Sequence, residues 1–103
     1  MIKIITKKTI SRECWNLDYH LMEWLNEHLK VYKKEANKVV NLEYYKFNFK
    51  GKEYTQLQII DTLIEKTNYL LDDVDYFTEN AKMNKTKNDI YDLMKLIHWH
   101  LWW

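Results

Sequence analysis

TQLQIIDTLIEKTNYLLDDVDYFTEN, residues 55–80, carries Leu57, Ile60, Leu63, Ile64, Leu70, Leu71, Val74 and Phe77 at steps of three and four, with Thr67 completing the series. Such steps return to one side of a 3.6-residue turn, so the pattern predicts an amphipathic helix with a single apolar band. Thr55, followed three residues later by Gln58, reads as a capping box. The hydroxyl accepts from the third amide of the helix, and the glutamine side chain reaches back to the cap residue's own amide. Asp61, Glu65, Asp72, Asp73, Asp75 and Glu79 give the other side a solvated acidic face. The remaining segments are expected to cover the apolar band.

Immediately upstream the period changes to two. Tyr45, Phe47 and Phe49 alternate with Tyr44, Lys46, Asn48 and Lys50, and the only glycine, Gly51, follows. Glycine takes positive φ without steric cost, as a two-residue hairpin turn requires. This predicts a β-hairpin with residues 42–50 running out and 52–55 running back. A lone hairpin is marginal in water, so one face must rest on helices or gain a third strand, for which residues 2–5 are the candidate.

Residues 11–38 predict a first helix, with Thr9 or Ser11 as cap. Trp15, Met22, Leu25, Leu29, Tyr32 and Ala36 form one stripe, and Leu17, Leu21, Trp24, His28 and Val31 widen it, so the helix is expected to touch more than one neighbour. Lys30, Lys33, Lys34 and Lys38 complement the carbonyl dipoles at its C-terminal end. Beyond the central helix, the polar residues 80–88 read as a loop, and Thr86 with Asp89 as a new helix start. A third helix over residues 88–103 presents Ile90, Leu93, Met94, Ile97 and Leu101. The sequence closes on LIHWHLWW with no polar tail, so those rings are expected to bury something, within the domain or against another molecule.

A chain of 103 residues with 47% hydrophobic and 30% charged residues fits one α+β, mainly helical domain of order α-β-β-α-α. One glycine and no proline argue for long helices over a many-stranded barrel. The expected core is Trp15, Leu21, Met22, Leu25, Leu29, Ile60, Leu63, Ile64, Leu70, Leu71, Val74, Ile90, Leu93, Met94 and Ile97. Five Trp, eight Tyr and three Phe can thicken a thin core or anchor a binding surface. The charge of +1 gives no strong field for nucleic acid, although residues 1–56 hold 11 basic against 7 acidic side chains and residues 57–103 hold 5 against 8. A lone cysteine, no signal-like leader and no long apolar run point to a cytoplasmic setting with no membrane partner.

The candidate chemistries are weakly supported. His20 shares a helix face with Glu23 and Glu27, but His98 and His100 point to opposite sides of a helix, and no ligand spacing of the HExxH kind occurs. Cys14 has no accompanying Cys–His–Asn order, which leaves it a small core residue. Phosphate cradles need several glycines. The expectation is therefore no enzyme, no cofactor and no metal. Two binding readings remain. In the first, Trp99, Trp102, Trp103, Tyr44, Tyr45 and Phe47 dock on a host protein or on a second copy of the chain, as a homodimer. In the alternative, Lys46, Lys50, Lys52, Lys33 and Lys34, interleaved with aromatics, bind nucleic acid by charge and stacking.

The Lys-, Asn-, Ile- and Tyr-rich composition fits an AT-rich genome. In its general style the chain resembles the small accessory proteins carried by phages of low-GC bacteria. That resemblance implies a protein that binds and inhibits a host defence enzyme such as a CRISPR effector. No motif of this sequence carries it.

Overall fold

The computed structural model describes Ile10, residues 14–72, the backbone of 73, and residues 81–103. The order is α1 (Leu17–Ala36), β1 (Lys46–Phe49), β2 (Lys52–Thr55), α2 (Gln56–Asn68), a π-helical continuation (Tyr69–Asp73), α3 (Ala81–Ile97) and a 3₁₀ turn (His98–His100). Three helices with an antiparallel hairpin between the first two is the expected arrangement. The candidate third strand at residues 2–5, the caps Thr9 and Ser11, the core candidate Val74 and the stripe residue Phe77 lie outside the described residues.

α2 is the central element, with α1 on one side, α3 on the other and β2 against its start. The capping box is formed in full: Gln58 N donates to Thr55 Oγ1 at 3.1 Å, and Thr55 N to Gln58 Oε1 at 2.9 Å. Ile60, Leu63, Thr67 and Leu70 are buried as the stripe requires, and Leu57, Ile64 and Leu71 are half-buried. Ile59 and Gln56 are buried too. A helix with a neighbour on each side needs a wider apolar face than one stripe supplies.

The hairpin closes through Lys50 (φ 53°) and Gly51 (φ 77°), and Phe49 pairs with Lys52. Positive φ at both central residues is the primed turn whose twist suits antiparallel strands. Gly51→Ala meets no steric neighbour, so its expected loss of about 1–2 kcal/mol is backbone strain alone, measurable by urea melts. The outgoing strand is shorter than expected. Residues 41–45 turn instead, with Glu43 N donating to Asn41 Oδ1 at 3.0 Å. They remain tied to the start of α2 through Gln56 N to Tyr45 O and Leu57 N to Leu42 O.

Three helix boundaries need correction, one of them the end of α3, which stops at Ile97 instead of running to residue 103. α1 starts at Leu17, because Asn16 adopts left-handed φ 52°, a conformation asparagine tolerates and a helix does not. α3 starts at Ala81, inside the segment read as a loop. Met83, Thr86, Ile90, Leu93 and Ile97 form one buried 3-4-3-4 row, whose first turns are masked in sequence by flanking Lys and Asn. Thr86 caps nothing: its hydroxyl donates to Lys82 O at 2.8 Å, which satisfies it inside the helix.

The core of α1 also needs correction. Met22 and Leu29 are buried and Leu25 is half-buried, but Trp15 is 73% exposed and Leu21 46%, and Cys14, read as a core residue, is exposed as well. In their place the inner face buries Asn26, whose Nδ2 donates to Thr67 Oγ1 at 2.8 Å, Asn68 Oδ1 at 2.9 Å and Ile64 O at 3.2 Å. This amide ties α1 to the last turn of α2, just before the π-helical continuation. Asn26→Ala removes the donor that these acceptors share, leaving Thr67 bonded only within its own helix, and is expected to cost about 1–2 kcal/mol in chemical unfolding.

Candidate protein-docking surface

After Ile97 the chain leaves α3 through the 3₁₀ turn and then reverses at Leu101 (φ −87°, ψ 71°), where Trp102 N donates to His100 O at 3.1 Å. This inverse γ-turn brings the last residues back over the end of α1 and the base of the hairpin. Side chains from two other elements hold the backbone there. Tyr32 Oη donates to Trp102 O at 2.9 Å, with His100 O at 3.3 Å sharing the proton, and Gln56 Nε2 donates to His100 O at 2.9 Å. Burial pushes the Tyr32 phenol above its ordinary value despite the opposing hydrogen bonds to Gln56 and Trp102, so it stays neutral and donating.

Rings assemble around this anchored segment. His100 lies 4.8 Å from Tyr45 and 5.1 Å from Phe47, centroid to centroid, and Tyr45 meets Tyr44 edge-on at 5.1 Å. Trp103 packs on Tyr32 at 5.5 Å. A recess of about 30 Å³ between Val40, Asn41, Tyr45, Gln56, His100 and Trp102 has room for a water-sized group only. Tyr44, Trp102 and Trp103 are 72%, 58% and 60% exposed. The surface is thus an apolar platform on a hydrogen-bonded base.

Five of the six expected docking residues meet here: Tyr44, Tyr45, Phe47, Trp102 and Trp103. Phe47 is half-buried and serves as support. Trp99 does not join them. It is 85% exposed and its ring neighbour is His98, at 4.8 Å. The anchors Tyr32, Gln56 and His100 were not legible as site residues. Tyr32 reads as part of a helix stripe and Gln56 as an ordinary first helical residue.

The lysines of the alternative reading are largely occupied. Lys33 pairs with Asp61 at 2.6 Å, Lys46 with Glu53 at 3.7 Å and Lys50 with Asp89 at 2.7 Å, while Lys52 lies over the Tyr54 ring at 5.3 Å. Lys34 is exposed. Carboxylates beside these ammonium groups cancel much of the local field that phosphate binding uses. Among the described residues no three His, Cys, Asp or Glu side chains converge as metal ligands, and no helix is long and apolar enough to cross a membrane. Comparison with protein-family models, characterised proteins and solved structures finds no match to this chain.

Proposed function

We propose that this protein is a non-enzymatic interaction module that docks on a partner protein through Tyr44, Tyr45, Trp102 and Trp103. The single observation that carries the reading is the pinning of an exposed aromatic platform by Tyr32 and Gln56. Large rings on an already ordered backbone lose little entropy on binding, and aromatic anchors dominate interface energetics. The partner is a host protein that the module inhibits; that part of the proposal rests on the style of the sequence.

Removing side chains tests the surface better than removing residues, because half-buried Leu101 packs against the core. Trp102→Ala with Trp103→Ala is expected to change stability by less than about 1 kcal/mol while weakening partner binding by about 2 kcal/mol or more. The readout is the set of proteins captured from host lysate by the wild-type and variant chains, beside their urea melts. Equal capture by both chains overturns the assignment of this surface. Wild-type capture that leaves the activity of the purified partner unchanged overturns the inhibitory part alone.

A further inference from the structure

Among the described residues nothing covers the outer part of the broad apolar band of α1. Leu17, Leu21, Trp24, His28 and Val31 follow one another at steps of four, three, four and three, the a/d spacing of a coiled-coil seam. Leu17, Leu21, Trp24 and Val31 are 54%, 46%, 57% and 60% exposed. The buried row Met22, Asn26, Leu29 and Ala36 lies on a different face of the helix and packs into the domain. A contiguous apolar seam of this kind on a soluble chain marks an interface.

The charges of α1 select its occupant. Asp18 and Glu23 lie in the first half of the helix, Glu27 just past its midpoint, and Lys30, Lys33, Lys34 and Lys38 in or just beyond the second half, where Glu35 also lies and Lys33 is already paired with Asp61. A second copy laid antiparallel sets each acidic half beside a basic half and opposes the helix dipoles, whereas a parallel copy sets like beside like. The centre of the seam is already ordered. The His28 ring stacks on Trp24 at 3.9 Å, and its Nδ1 donates to Trp24 O at 2.7 Å. That bond puts the neutral ring's proton on Nδ1 and leaves Nε2 as an acceptor. Antiparallel heptads oppose a to d, which sets Leu21 against the partner's Val31 and the Trp24 indole donor against the partner's His28. One polar layer within an apolar seam specifies register. We propose that α1 is a self-association surface on which two copies of this chain pair antiparallel about a twofold axis through the Trp24–His28 layers.

The surface is separate from the aromatic platform, and the experiment keeps the two apart. Sedimentation velocity of the full chain is expected to give a species of twice 12.8 kDa at tens of micromolar. Leu21→Glu with Val31→Glu, both at exposed positions, should leave the circular-dichroism melt in place and weaken the dimer at least tenfold. Trp102→Ala with Trp103→Ala should leave it intact. Orientation is read from a spin label on Cys14, the only cysteine and exposed. Antiparallel pairing separates the two labels by roughly 30 Å or more along the helices, at 1.5 Å per residue. A chain that stays monomeric to millimolar concentration overturns the proposal, and so does a dimer indifferent to Leu21→Glu and Val31→Glu. A label separation near that of adjacent helices overturns the antiparallel arrangement.

Discussion

Leu63→Ala is expected to lower the unfolding free energy by about 2–5 kcal/mol, read as a shift in urea midpoint at unchanged slope. Leu63 is 0% exposed and lies on the helix gripped from both sides. Truncation therefore removes contacts with more than one neighbour, and a site walled by two helices cannot close over the void. Leu71, half-buried in the π-helical turn, has solvent on one side, so Leu71→Ala is expected to cost less. Near-equal midpoints for wild type and Leu63→Ala would show that α2 is not the axis of the fold.

Asp89→Ala is expected to cost about 2–3 kcal/mol, and the wild type is expected to lose part of that same stability in acid. The Asp89 side chain on α3 is only 6% exposed, and it receives Lys50 Nζ from the hairpin turn at 2.7 Å and Lys66 Nζ from α2 at 3.3 Å. One carboxylate thus ties three elements. The lysine side chains are 52% and 27% exposed and can turn partly to water once the acid is gone, which keeps the cost below that of a fully buried pair. Burial is the largest single influence on Asp89 and raises its pKa. The hydrogen bonds and charges of Lys50 and Lys66 together outweigh it, and the carboxyl sits below its ordinary value. A folded pKa below the unfolded one contributes stability that is present above the unfolded value, near 3.9, and is lost as pH falls through the folded value. Urea melts from pH 7 to pH 2.5 should therefore show a drop below about pH 4 that is diminished in Asp89→Asn. Equal acid sensitivity in both chains would remove Asp89 as the linking group.

Features set by neighbours in the chain were legible. The Thr55–Gln58 cap, the hairpin turn at Gly51 and the Ile60–Leu63–Leu70 stripe depend on residues a few positions apart. Each reads the same in isolation as in the folded molecule. The start of α3 was not legible, because Met83 and Thr86 are the only inward residues of its first turns and polar neighbours hide the period. Nor was Asp89 as a buried ion pair: its partners lie 39 and 23 residues away in sequence. The docking platform was half legible. Tyr44, Tyr45, Trp102 and Trp103 stand out by ring content, whereas Tyr32 and Gln56 act through backbone carbonyls that carry no residue signature.

α1 marks the boundary between local and global information. Spacing alone established that it is a helix with one broad apolar band, since periodicity depends on the chain's own repeat. Which part of that band turns inward depended on what α2 offers. The carbonyl of Ile64, the hydroxyl of Thr67 and the amide of Asn68 take Asn26, and that choice points Leu17, Leu21, Trp24 and Val31 at water. A buried amide must find hydrogen-bond partners and an exposed leucine need not, so polar satisfaction across the interface, invisible in the pattern of either helix, set the rotation of the whole element.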